Sequence, residues 1–151
     1  MGSSQVSALV ELGAWQGGMA LFLSFQCHIR GISFATVDVN LEQFQCRQQC
    51  EDLGARLFAI DLLSASGPAA LREVLEPMRR PLALFCDNGN KRQEWRSFLP
   101  LLAEWGFIAV HDWGHEFTQD YVTGPVEPVL LRECESVSSL TRFFRVCGDR
   151  C

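Results

Sequence analysis

The sequence is short of basic residues. Thirteen lysines and arginines stand against eighteen aspartates and glutamates in 151 residues, giving a formal net charge of −5 at pH 7. Binding DNA or RNA through phosphates needs a basic face, and the arginines here are scattered along the chain. The pair Arg79-Arg80 stands ahead of a proline and reads as a helix end. Nucleic acid is therefore not an expected partner. A positively charged start is also missing ahead of the apolar stretch Ala8–Phe25, which itself carries Glu11, Gln16 and three glycines. A secretory signal wants that positive start, and a spanning helix would have to bury the glutamate. No membrane segment is expected. No linker, repeat or low-complexity region interrupts the chain, so residues 1–151 read as a single domain.

Seven cysteines are an odd number. Without a secretory signal they read as reduced thiols in a cytoplasmic protein. Cys46 and Cys50, and again Cys147 and Cys151, are four apart. That spacing, on a helix and at a terminus, is a weak zinc signal, because zinc ligands favour paired knuckles on turns.

What is present is a globular composition, 48% hydrophobic and 21% charged. Short apolar runs alternate with segments of helical character. The runs are Ala8–Leu12, Ser33–Val39, Leu57–Leu62, Leu82–Cys86 and Phe107–Val110. The helical segments are Gly18–His28, Leu41–Leu53, Pro68–Met78, Arg92–Trp105 and Val129–Leu140, and Thr141–Cys147 could close the sheet. Gly54 and Gly106 stand as helix stops, and Pro68 sits where a helix start tolerates a missing N–H. Nearly continuous hydrophobic strands indicate helices on both faces. The expected fold is α/β: a Rossmann-like, doubly wound, mostly parallel sheet in a three-layer α/β/α arrangement.

Such sheets bind ligands at the carboxyl ends of their strands. Acids cluster at those ends: Glu11 before Gly13, Asp38, Asp61, Asp87, and Asp112 after His111. One such acid is usually a helix cap; five together suggest a ligand or metal crevice. The first strand runs into Gly13-Ala14-Trp15-Gln16-Gly17-Gly18. In the dinucleotide fingerprint the middle glycine lets the backbone approach a pyrophosphate, and here that position is Trp15. A catalytic tyrosine–lysine pair is not recognisable either, which disfavours NAD(P). S-adenosylmethionine carries a nucleoside and an amino acid without phosphates and needs no such cradle. Asp38 suits the ribose of either cofactor.

The stretches "VELGAWQGGMALFL", "VDVN", "LFCDNGNK" and "AVHDWGHEF", in this order and spacing, resemble class I S-adenosylmethionine-dependent methyltransferases. The nearest group is the small-molecule O-methyltransferases related to cephalosporin hydroxylase and macrocin O-methyltransferase. The resemblance runs from about Ala8 to Phe117. It implies that Glu11 and Gly13 lie under the methionine portion of the cofactor and that Gly17 and Gly18 let the first helix start close to it. It implies further that Asp38 holds the ribose and that Asp61 lies beside the adenine. Asp87 matches an acid that binds a divalent cation in metal-dependent relatives, with His111 and Asp112 where those relatives complete the site with an acidic pair.

Methyl transfer needs an aligned nucleophile, and a hydroxyl acceptor must lose its proton. Asp87 and Asp112 offer hard oxygens suited to Mg²⁺; His111 is either a third ligand or a general base. Beside these stand plainer readings, in which His111 bonds within the sheet end and Asp112 caps a turn. Asn90 and Lys91 either touch the acceptor or cofactor carboxylate, or cap and solvate a helix start. Trp15, Trp113 and Phe117 either wall the pocket or belong to the core. The charges of "KRQEWRSF" read as an exposed helix face.

The resemblance begins close to the start of the sequence, so a minimal or truncated version of the fold is expected. The acceptor pocket is then open, built from the loop at 114–128, or completed by a second subunit in a homo-oligomer. The leading functional expectation is a methyltransferase acting on a hydroxyl of a small molecule, with Mg²⁺ as a possible second cofactor. A non-catalytic methyltransferase-like domain that binds cofactor or a protein partner is the alternative, and an NAD(P) domain the third.

Overall fold

The computed structural model of the chain describes residues 6–102, 106–129 and 140–147. Seven strands form one sheet in the order β3-β2-β1-β4-β5-β7-β6. They are β1 (Ala8–Leu12), β2 (Ser33–Asp38), β3 (Arg56–Ala59), β4 (Leu82–Cys86), β5 (Phe107–Val110), β6 (Val126–Pro128) and β7 (Arg142–Val146). The first five are parallel, and β7 runs antiparallel to both β5 and β6. The helices are α1 (Gly18–His28), α2 (Arg47–Asp52), α3 (Gly67–Leu75) and α4 (Lys91–Phe98).

Alternation along the strands feeds two cores. Ala8, Val10 and Leu12 of β1 point to one, with Leu71 and Leu75 of α3 and Trp95 and Phe98 of α4. Leu9 points to the other, with Ala20 and Cys27 of α1 and Cys50 of α2. Helices on both faces of a mostly parallel sheet give the three-layer, Rossmann-like arrangement that the apolar runs predict. Strand order reverses at β1, between β2 and β4, and this is the switch point where the sheet opens a crevice.

β1, β4, β5 and α1 occupy the spans read from the sequence, while several other elements are shorter. The expected helix Leu41–Leu53 begins only at Arg47, because the chain before it is tied to the glycine turn. The Gln45 N–H donates to the Gln16 carbonyl, and the Glu42 N–H donates to the Asn40 side chain. The expected helix Arg92–Trp105 gives way after Phe98 to a 3₁₀ turn, Leu99–Leu101, at Pro100, whose ring cannot sit inside an α-helix. The closing strand is present, but Val126–Pro128 was not anticipated as its partner. The Val129 N–H donates to the Phe143 carbonyl, so Val129 extends that pairing instead of starting a helix. The rest of the expected helix Val129–Leu140 falls largely outside the described residues, as does Cys151.

The charged segment "KRQEWRSF" is only in part the exposed face its composition suggests: Arg92 and Arg96 are exposed, but its other two charges are not. Lys91, Glu94, Trp95 and Phe98 are buried. A spacing of three and four residues puts all four on the inner face of α4. No helix among the described residues is long and apolar enough to cross a membrane.

Candidate functional site

The sheet registers bring the carboxyl ends of β1, β2, β4 and β5 level. Leu12 pairs with Val37 and with Cys86, and Cys86 pairs with Val110. Just beyond these ends, the candidate residues continue the ladder through their own backbones. Gly13 N–H donates to Val37, Asp87 N–H to Leu12, and His111 N–H to Cys86. Their side chains therefore start from backbone that the sheet fixes.

The turn after β1 is held by Asp38. One carboxylate oxygen accepts from the N–H groups of Ala14 and Trp15 at 2.8 and 2.9 Å, and the other accepts from Asn40 at 3.0 Å. Trp15 adopts a left-handed φ of 46° and leaves 71% of its surface exposed. Gly13, at φ 93°, passes so close to the start of the β4 loop that a Cβ would lie 2.7 Å from the Asp87 carbonyl and the Asn88 backbone. Beneath the turn, Glu11 is fully buried. Thr36 donates to one of its oxygens at 2.6 Å, while the other has no hydrogen-bond partner. Burial, offset in part by Thr36 and reinforced by the charges of Asp87 and Asp38, pushes its carboxyl up to about 8.

The second half of the site is an acid–imidazole cluster. Ligand atoms of Asp87, His111 and Asp112 all lie within 4.8 Å of one another. Asp112 adopts a left-handed φ of 55°, which aspartate tolerates better than most residues, and its carbonyl accepts from His115 and Glu116 in the turn that follows. His111 Nδ1 lies 2.9 Å from Thr141 Oγ1, leaving Nε2 on the acid side, 3.7 Å from Asp112 Oδ1. Burial raises the Asp87 carboxyl, with His111 and Lys91 opposing the shift.

Lys91, the only lysine in the sequence, ties this cluster together. Its side chain is buried, donates to the Asn88 carbonyl at 2.7 Å, and lies 3.5, 3.6 and 3.4 Å from the carboxylates of Asp87, Asp112 and Glu116. Burial by itself would lower its ammonium, but Glu94, Asp87, Glu116 and Asp112 outweigh burial and raise it. One turn along α4, Glu94 is fully buried and neither of its carboxyl oxygens completes a hydrogen bond of normal geometry. Burial pushes it up to about 8 against the pull of Lys91.

A cleft of about 330 Å³ joins the two halves, lined by Gly13, Trp15, Asp38, Val39, Asn40, Gln43, Asp87, Asn88 and Gly89. A larger cavity, about 530 Å³, lies between the C-terminal half of α4 and residues 123–125. Among the described residues, Arg96 is its one charged lining side chain, whereas the smaller cleft carries Asp38 and Asp87.

Other residues singled out in the sequence lie elsewhere. Asp61 is exposed and caps its own turn, accepting from the Leu63 N–H. Gly17 faces the ring of Phe44, 3.0 Å from where a Cβ would stand, and Gly18 has open space around it. Of the three aromatics, Trp15 alone lines the cleft. Phe117 is fully buried against Trp95, Trp113 and Tyr121, and Trp113 packs on Phe117 and Phe144. Sequence reasoning missed Thr36, Glu94 and Glu116, and it did not give Lys91 a neutralising role. The signal for the last was available: a lone lysine three residues before Glu94 shares a helix face with it, and it opens that helix just past the strand-end acid Asp87.

No protein-family model and no curated protein matches the sequence. Solved structures do match. A CmcI structure described with magnesium and S-adenosylmethionine superposes with a TM-score of 0.69 over 93% of this chain and 65% of its own, at 17% identity. The methyltransferase PaMTH1 of Podospora anserina, bound to S-adenosylhomocysteine, gives 0.62 over 94% and 72%, at 13% identity. The fold is the one these proteins share. The rRNA methyltransferase AviRa of Streptomyces viridochromogenes has it too, with a TM-score of 0.57 over 93% of this chain and 76% of its own, at 15% identity. The chain spans somewhat less than two thirds of the length of CmcI.

Proposed function

We propose that the chain is an S-adenosylmethionine-dependent methyltransferase acting on a hydroxyl of a small molecule, with Mg²⁺ as a second cofactor. The observation that carries this reading is that Gly13 and Trp15 line the same cleft as Asp38 and Asp87. A phosphate-free nucleoside seat thereby opens toward an acid–imidazole cluster. The CmcI structure, described with both magnesium and S-adenosylmethionine, supports the pairing of cofactors.

The residues present fit both groups. Trp15 stands where a pyrophosphate needs glycine, and Glu11, buried beneath the turn, keeps one carboxyl oxygen without a hydrogen-bond partner. In this reading Glu11 and Gly13 underlie the methionine portion, Asp38 faces the ribose while pinning the turn, and Asp61 lies toward the adenine. Gly17 and Gly18 set the start of α1. Asp87 and Asp112 would hold Mg²⁺ through hard oxygens, with His111 beside them. When bound, that ion supplies Lewis-acid polarisation of the acceptor oxygen.

The chain's own part is positional. The pinned turn would seat the cofactor and Asp87 would hold the acceptor hydroxyl beside it, and such positioning supplies much of the acceleration in methyl transfer. His111 Nε2, with Nδ1 engaged by Thr141, takes the acceptor's proton. Lys91 keeps the surrounding carboxylates from repelling one another. A second reading, a domain that binds cofactor without turnover, is favoured by one feature: Lys91 already neutralises Asp87 and Asp112.

Methyl-labelled cofactor, Mg²⁺ and a panel of sugar and phenolic acceptors test the proposal. Labelled product is expected, reduced by chelation. Asp87→Asn is expected to lower turnover by about 100-fold or more while leaving S-adenosylhomocysteine affinity within about twofold. Tight cofactor binding with no transfer across the panel would favour the second reading.

A further inference from the structure

The proposed mechanism leaves one buried acid unused. Glu94 is fully buried on the inner face of α4, with Lys91, Trp95 and Phe98. Burying a carboxyl costs far more than burying an apolar side chain of its size, so such a group calls for a physical reason.

The loop at 87–90, between β4 and α4, supplies that reason. Its N–H groups can be accounted for one by one. Asp87 donates to the Leu12 carbonyl of β1, and Gly89 donates to the Asn88 side chain at 3.0 Å. The N–H groups of Asn88 and Asn90 approach the Glu94 carboxyl, as does the Cys86 thiol, all short of normal hydrogen-bond geometry. Lys91, on the same face of α4, donates to the Asn88 carbonyl at 2.7 Å. Two side chains of α4 thus hold Asn88 from the inside, one at its N–H and one at its carbonyl. The other side of the loop is the wall of the cleft, which Asp87, Asn88 and Gly89 line. There the turn after β1 presses on it, with Gly13 too close to the Asp87 carbonyl and the Asn88 backbone to admit a Cβ. A loop clamped on both sides has little freedom, and the direction in which Asp87 leaves the backbone follows from both clamps.

We infer that Glu94 is a positioning residue of the candidate site: through the N–H groups of Asn88 and Asn90 it fixes the loop that presents Asp87 to the cleft. Glu94 lines no part of the cleft itself. The inference rests on the reading of Asp87 as the acid that serves the acceptor, whereas the loop depends on Glu94 whatever the cleft binds. The groups facing the Glu94 carboxyl are Lys91 of its own helix, the Cys86 thiol of β4 and the two loop N–H groups. Burial holds the Cys86 thiol well above its ordinary value, and the surrounding acids raise Lys91. Near pH 8 Glu94 is therefore the one of these groups that changes charge. An ionised carboxylate draws N–H donors more strongly than a neutral one, so the loop nitrogens report its titration.

Carbon-detected carbonyl–nitrogen correlation spectra of the whole chain test this, because they survive fast amide exchange at alkaline pH. The backbone nitrogens of Asn88 and Asn90 are expected to shift with a midpoint of about 8. Glu94→Gln is expected to abolish that titration with far-ultraviolet circular dichroism unchanged. Glu11→Gln is expected to leave it in place, which separates Glu94 from the other acid raised to about 8. In methyl transfer, Glu94→Gln is expected to lower kcat about tenfold and to keep KM for the cofactor within about twofold, since the loop is disturbed and the turn is not. Absence of the titration at Asn88 and Asn90 in the parent would overturn the inference. So would a titration that survives Glu94→Gln, or parental kcat in that variant. A parent that titrates as expected and transfers no methyl would overturn the reaction and leave the role of Glu94 in the loop standing.

Discussion

Lys91 is the residue on which the electrostatics of the site turn. The carboxylates of Asp87, Asp112 and Glu116 surround one buried ammonium, and removing it leaves like charges facing one another in a half-buried pocket. Lys91→Met is expected to cost about 3 kcal/mol in denaturant unfolding. Mg²⁺ should then raise the melting temperature of the variant more than that of the parent, because the freed carboxylates can take the ion. No added response to Mg²⁺ would count against a cation site at Asp87 and Asp112. Glu11 and Glu94 give a separate signature. Their carboxyls are raised from 4.5 to about 8, so between those values the folded protein holds protons that the unfolded chain has released. Their stabilising contribution is complete below about pH 4.5 and is lost as pH rises through about 8. Thermal stability is therefore expected to fall from about pH 5 to about pH 8, by up to about 1.4 kcal/mol per pH unit for each group. Glu11→Gln with Glu94→Gln should flatten the profile, and an unchanged slope would refute the assignment.

At the scale of elements, the turn between β1 and α1 is shaped by contacts on both sides. Gly13 is pressed against the β4 loop at a left-handed φ, and Gly18 opens the helix in free space. Gly13→Ala is expected to cost about 3 kcal/mol, from backbone strain and overpacking together. Gly18→Ala should leave stability unchanged or slightly raised, since alanine suits a helix better. Chemical denaturation separates the two, and equal losses would contradict the geometry. Much of the sheet was legible because parallel strands covered on both faces appear as unbroken apolar runs, as in Leu82–Cys86. The helices were harder to read. The Gln45 contact with Gln16 and the Glu42 contact with Asn40 explain why α2 starts late, and α4 looks solvated until Lys91 and Glu94 are seen to be partners of a buried site.

For the whole molecule, a strand order of β3-β2-β1-β4-β5-β7-β6 puts four strand ends on one edge and opens the crevice between β1 and β4. The acids at those ends could be picked out by position, because each follows an apolar run directly. What each touches could not. Asp38 spends its carboxylate on N–H groups of the turn more than twenty residues earlier, a contact that local sequence does not encode, while Asp61 spends its own on the N–H two residues on, a local turn contact. The proposed cofactor is the claim on which the other roles depend, and calorimetric titration with S-adenosylhomocysteine tests it most directly. One site with micromolar affinity is expected, weakened at least about tenfold in Asp38→Ala as the turn loses its anchor. NAD is expected to give no heat of binding. Binding of NAD alone, or of neither ligand, would contradict the proposal.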